Sequence, residues 1–99
     1  MTAAGTDRET RDAVIIGGCG RVGLPLGIAL ASRGRTVTLY DINAAAVDTV
    51  NGGRLPFDED GAAEPLRAAV ANGNLDATTD PASVGSADTL IVIVGTPVD

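Results

Sequence analysis

An α/β fold on a parallel sheet is what this sequence predicts, and three observations carry the prediction. Short apolar runs at 13–17, 36–40 and 89–94 alternate with segments of helical spacing at 21–33, 44–50 and 62–72, the pattern of strands joined by helical crossovers. The first and last runs are unbroken apolar stretches, as suits central parallel strands covered on both faces. The first run ends in glycines and a helical pattern starts at once. Right-handed crossovers then give about four strands in the order 3-2-1-4, with helices on both faces.

Each element has its own local reason. Residues 1–12 are polar with alternating charges and read as a flexible leader, which leaves 13–99 as the folded part. Residues 13–17 are the first strand. Residues 21–33 are the first helix, closed by Gly34 in a C-cap position. Val22, Leu26, Ala29 and Leu30 recur at helical spacing and are expected to face the sheet. Pro25 lies early, where a missing N–H costs least, and Arg33 and Arg35 suit the negative end of the dipole. The second strand, 36–40, is supported by its β-branched content. Asp41-Ile42-Asn43 turns the chain, Asn43 caps a helix over 44–50, and Asn51-Gly52-Gly53 ends it. Residues 54–61 form a loop with Pro56 and the acidic run Asp58-Glu59-Asp60, a pattern typical of a solvated turn. A third helix over 62–72 carries Leu66, Ala69 and Val70 on one face, with Gly73 at its cap. A short strand at 75–79, a turn at Asp80-Pro81, a helical turn over 82–86 and the last strand follow, before Gly95-Thr96-Pro97.

Gly18-Cys19-Gly20-Arg21-Val22-Gly23 fits G-x-G-x-x-G between a predicted strand and a predicted helix. In a Rossmann-like fold the first glycine permits the sharp turn. The second lets backbone approach a pyrophosphate, and the third lets the helix pack close to the sheet. The free N–H groups and dipole of that helix start favour a diphosphate. Asp41 ends the second strand 23 residues after Gly18, close to the spacing of about 20 for an acid that binds the adenosine ribose. The pattern therefore predicts a dinucleotide at the carboxyl ends of strands one and four, between the glycine turn and Gly95, Thr96 and Pro97. A carboxylate at the ribose favours NAD over NADP. A length of 99 residues is short for both halves of such a fold, so a partial domain and a fragment of a longer enzyme are expected.

Composition removes other classes. The net charge is −6, every basic residue is Arg, and Tyr40 and Phe57 are the only aromatics, which disfavours nucleic-acid binding. Cys19 is the single cysteine and there is no histidine, so neither an internal disulfide nor a structural zinc set can form. No apolar run reaches the ~18 residues of a membrane span, and the N-terminus lacks the apolar core of a signal peptide. A cytoplasmic protein is the default. The last strand is apolar on both faces with nothing after it to pair its outer edge, so self-association is expected.

The second half of the chain adds a more specific likeness. Asp41-Ile42-Asn43, Val47, Asn51-Gly52-Gly53, Pro56, Glu59 with Gly61, the segment Asn74-Leu75-Asp76-Ala77-Thr78-Thr79-Asp80-Pro81, Ala87-Asp88 and Gly95-Thr96-Pro97 together resemble the nucleotide-sugar dehydrogenases. That family acts on UDP-glucose, UDP-N-acetylmannosamine and GDP-mannose. The resemblance implies oxidation of a sugar C6 alcohol to a carboxylate with two NAD per turnover, through a catalytic cysteine and a lysine. Neither maps onto this chain, since lysine is absent and Cys19 lies in the phosphate loop. The cofactor-contacting positions do map. They are Gly18, Gly20, Arg21, Val22, Gly23, Asp41, Ile42, Gly95, Thr96 and Pro97, with NAD as cofactor and the nucleotide sugar left to segments beyond Asp99. Where a basic residue often follows the ribose acid by five positions in the UDP-glucose branch, this chain has Ala46. A second reading comes from another class, because the glycine motif also resembles regulatory nucleotide-sensing domains of potassium transporters and channels. Those modules reach their next strand after one short helix. Here a helix, an acidic loop and a second helix separate Asp41 from Leu75.

Overall fold

In the computed structural model of the chain, which describes residues 10–94, four strands make one parallel sheet in the order β3-β2-β1-β4. The elements run β1 (Arg11–Ile16), α1 (Gly23–Ser32), β2 (Val37–Tyr40), α2 (Ala44–Asn51), α3 (Ala63–Ala71), β3 (Leu75–Thr78), a 3-10 turn (Pro81–Ser86) and β4 (Ala87–Val92). Ile15 pairs with Leu39 on one side and Ile91 on the other, and Leu39 pairs with Ala77. This row crosses all four strands and puts its side chains on one face. That face holds the core, where Ile15, Leu39 and Leu75 meet Leu24 and Ile28 of α1, Val47 and Val50 of α2, and Leu66 and Ala69 of α3. The residues that alternate with them, Thr38, Asp76 and Thr78, line a cleft with Ala82, Ser83 and Ser86 of the 3-10 turn, so that turn lies on the opposite face. The strand order explains the division. Two crossovers run one way along the sheet and the third runs back, and right-handedness sends the third to the other face.

The sheet-facing stripe of α1 differs from the spacing-based expectation. Leu24, Gly27, Ile28 and Ala31 are buried, whereas Val22 is 64% exposed and Ala29 lies outside; Leu26 and Leu30 are half-buried. The helix is apolar around most of its circumference, so periodicity left its phase open. A close contact fixes it, since a Cβ on Gly27 would come within 2.7 Å of Leu39 Cδ2. The helix also starts two residues later than expected, at Gly23, because the glycine turn takes up Arg21 and Val22. At its other end Gly34 adopts φ +88. There the Gly34 N–H reaches the Ala31 carbonyl at 3.0 Å and the Arg35 N–H the Leu30 carbonyl at 3.2 Å, the bond pair of a Schellman stop.

The first and last strands begin two residues before their predicted starts. Arg11 and Asp12, assigned to a flexible leader by polarity alone, belong to β1. The Arg11 guanidinium donates to Thr38 Oγ1 at 3.2 Å, to the Val37 carbonyl at 3.1 Å and to the Gly73 carbonyl at 3.3 Å. Asp12 and Thr36 exchange two backbone-to-side-chain bonds of 2.9 Å. Cross-strand partners of this kind turn polar residues into strand residues, and a local reading does not see them. The leader at 1–9 and the ending Gly95-Thr96-Pro97 lie outside the described residues. β4 starts at Ala87 rather than Thr89. Its Leu90 and Val92 pair with Val14 and Ile16, which places them on the face of the 3-10 turn, 46% and 55% exposed. At the other edge the Asn51 side-chain amide accepts from the Ala77 N–H at 2.9 Å and donates to the Ala77 carbonyl at 2.8 Å. No helix among the described residues is long and apolar enough to cross a membrane.

Candidate functional site

The turn that follows β1 is built from its glycines outward. The Tyr40 carbonyl accepts the N–H groups of both Gly17 and Gly18, at 2.9 and 3.1 Å, and so holds the turn to the end of β2. A Cβ on Gly18 would lie 2.7 Å from Leu39 Cβ and 2.8 Å from the Ile15 carbonyl oxygen. On Gly23 it would lie 2.6 Å from the Gly17 carbonyl oxygen and 2.8 Å from Gly18 Cα. Both glycines are therefore demanded by packing. Gly20 is different. Its Cβ would meet only the Gly17 carbonyl oxygen, at an ordinary 3.6 Å, and the residue is exposed. Nothing in the described chain requires glycine there, so the bare backbone at Gly20 is free to meet something outside the fold.

The start of α1 is left open in the same place. Val22 precedes the helix without a capping side-chain bond, and no acid occupies the first turn. In contrast α2 is capped by Asn43, whose Oδ1 accepts the Ala46 N–H at 3.1 Å. Among the described residues the N–H groups of Arg21, Val22 and Gly23 find no acceptor, the usual deficit of an uncapped helix start. A positive helix end with unpaired donors beside a glycine that leaves space has the chemistry to accept an anion such as a diphosphate.

Asp41 stands at the end of β2 and ties the turn down. Its Oδ2 accepts the Cys19 N–H at 3.1 Å and its Oδ1 accepts the Asn43 N–H at 3.0 Å. Each carboxylate oxygen keeps further acceptor capacity, so Asp41 can anchor the glycine turn and still receive hydroxyls. Ile42, next to it, is 85% exposed. The Arg21 guanidinium lies 4.9 Å from the centroid of the Phe57 ring, a contact that brings the acidic 54–61 loop to the glycine turn. The structure thus gathers Gly18, Gly20, Arg21, Val22 and Gly23 in one turn, with Asp41 bonded to it and Ile42 beside Asp41. Sequence reasoning missed two members of this group. The Cys19 backbone N–H is an unremarkable peptide group until Asp41 reaches it. Phe57 belonged to a loop read as solvent-exposed, and its aromatic character was the one available signal.

Cys19 itself is buried at 4% exposure. Burial, and then the Asp41 carboxylate, push its thiol up from the ordinary 9.0 to about 12. The thiolate is the reactive form, so this side chain packs rather than attacks. The pH consequence has a definite sign. Between pH 9 and 12 the unfolded chain releases the thiol proton while the folded chain keeps it, so the fold loses stability as pH rises through that window. Melting followed from pH 8 to 10.5 should fall more steeply for wild type than for Cys19→Ala. Equal slopes would show that the folded thiol titrates like a free one.

Comparison with known proteins agrees with this geometry. Residues 12–99 match the UDP-glucose/GDP-mannose dehydrogenase family, NAD binding domain. Over 80 residues the chain is 46% identical to an NDP-N-acetyl-D-galactosaminuronic acid dehydrogenase of Ralstonia nicotianae, covering 81% of this chain and 18% of that protein. It is 41% identical to the UDP-N-acetyl-D-mannosamine dehydrogenase of Escherichia coli K12, with the same coverage. Among solved structures it superimposes on GDP-mannose dehydrogenase from Pseudomonas aeruginosa with a TM-score of 0.83 and 31% identity, over 89% of this chain and 20% of that one. The chain thus spans about a fifth of the length of these relatives. The match leaves the transporter-domain alternative without support. The chain belongs to the UDP-glucose/GDP-mannose dehydrogenase family, and residues 12–99 carry its NAD-binding domain sequence.

Proposed function

We propose that the chain forms the adenosine-diphosphate side of the NAD site in a nucleotide-sugar dehydrogenase, which oxidises the C6 alcohol of a UDP- or GDP-sugar to the uronate. The observation that carries this reading is Gly20, a glycine with no packing reason at an uncapped helix start. Gly18, Gly20, Arg21, Val22 and Gly23 would hold the diphosphate. Asp41 would receive the ribose hydroxyls, with Ile42 exposed at its side; Gly95, Thr96 and Pro97, the further cofactor positions of this reading, lie outside the described residues. NAD supplies the hydride acceptor when bound. These residues bind and orient it. The chain has no histidine or lysine and its one thiol is buried and protonated, so nucleophilic chemistry falls to residues elsewhere in the enzyme.

The same reading puts the protein in the cytoplasm and has it self-associate, with the apolar Leu90 and Val92 of β4 exposed on the face of the 3-10 turn among the described residues. The test uses the intact protein with NAD and, in turn, UDP-N-acetylmannosamine, UDP-glucose and GDP-mannose. NADH should appear with at least one sugar, at two per sugar consumed, and sedimentation should show a dimer or larger. NADH formation from none of the three would overturn the enzymatic reading, and a monomer at high concentration would overturn the assembly.

A further inference from the structure

The contact between Arg21 and Phe57 is absorbed by neither the glycine motif nor the fold. Phe57 is half-buried and packs against the core together with Leu55, so its ring is fixed from below. Arg21 is exposed, and its guanidinium lies 4.9 Å above that ring, within the range of a cation–π contact. Arg21 is also the only basic side chain in the segments that leave the carboxyl ends of β1, β2 and β3, at 17–22, 41–43 and 79–80. The charges around it are acidic. Asp41 bonds the same turn, and Asp58, Glu59 and Asp60 follow Phe57 directly. A diphosphate entering this turn meets one cation among carboxylates. A free arginine loses much rotamer freedom when it engages a ligand, and an arginine already stacked on a fixed ring loses less.

We propose that Phe57 is a positioning residue for the cofactor diphosphate: its ring holds the Arg21 guanidinium at the glycine turn, where that cation meets the phosphates. The inference rests on the NAD-site reading above. It also gives the 54–61 loop a task, since the loop carries the ring to the turn. Phe57 acts only through Arg21, and that restriction makes the idea testable.

The experiment is titration of NADH into the intact protein, with melting recorded for every variant. Arg21→Met should weaken NADH about tenfold and Phe57→Leu three- to fivefold. The double variant should bind within twofold of Arg21→Met alone. Phe57→Trp offers a stronger cation–π surface and should tighten NADH at least twofold when Arg21 is present, and leave it unchanged in the Arg21→Met background. This second pair of variants decides the matter where Phe57→Leu fails to fold. Wild-type affinity in a folded Phe57→Leu, single losses that multiply in the double variant, or a Phe57→Trp effect that ignores Arg21 would overturn the proposal. Absence of NADH binding by wild type would instead overturn the NAD-site reading itself.

Discussion

NADH is expected to bind at least tenfold more tightly than NADPH, and Asp41 is the reason. NADPH places a phosphate where NADH has a ribose hydroxyl. A second negative group about 4 Å from a carboxylate costs on the order of 4 kcal/mol at an effective dielectric near 20, before screening by salt. Tenfold discrimination needs only ~1.4 kcal/mol, so the preference survives substantial screening. No Arg or Lys occurs over 42–46 to offset the charge. Asp41 also holds the Cys19 and Asn43 N–H groups, and Asp41→Ala would loosen the turn as well as remove the charge. Asp41→Asn removes the charge while keeping one of the two acceptors, so it loosens the turn less than Asp41→Ala does. Calorimetric titration should show NADH weakened by both variants and the NADH/NADPH ratio collapsing towards one in Asp41→Asn. A ratio near one in wild type would remove Asp41 from the ribose.

The second large effect is a contrast between two glycines of the same motif. In Gly23→Ala the new methyl is driven against backbone on two sides, at 2.6 and 2.8 Å, and no side chain there can rotate away. The helix must shift, at a cost of about 3 kcal/mol, which is a fall of more than 10 °C in melting temperature for a domain of ~100 residues. In Gly20→Ala the methyl meets an ordinary 3.6 Å contact. Stability should hold or rise by up to about 1 kcal/mol, through a less flexible unfolded chain. On the proposed NAD site, NADH affinity should nevertheless fall tenfold or more, because the methyl would occupy the approach to the phosphates. Thermal melting and NADH titration on both variants check the pair. Retained affinity in Gly20→Ala would show that this glycine serves no ligand.

The sequence disclosed those parts of the molecule that are local. The glycine turn, Asp41 at the end of β2, the Asn43 cap and the strand order all follow from short-range patterns and from the handedness of crossovers. The parts it concealed depend on what lies across the sheet. The phase of α1 was misjudged because Leu, Ile, Ala and Gly surround that helix, and the contact of Gly27 with Leu39 decides it from 12 residues away. Arg11 looked like leader until Thr38 and Gly73 supplied its acceptors. Val22 and Leu90 carry apolar side chains that the structure leaves in solvent, which apolarity by itself argues against. Phe57 reached the site only through a loop whose path no periodicity encodes.

Asn51 stands in for a strand at one edge of the sheet. In β3 the Asn74 and Thr78 carbonyls point inward to β2, so in the alternation of a parallel ladder Leu75 and Ala77 turn their peptide groups outward. The Asn51 amide fills both positions on Ala77, as the backbone of a fifth strand would. That end of the sheet is therefore plugged by two atoms of a side chain, with one residue's worth of ladder left open. Among the described strands β4 is the opposite end of the sheet. An asparagine that reads as a helix terminator thus closes the β3 edge of the sheet at Ala77, and Asn51→Ala would reopen it.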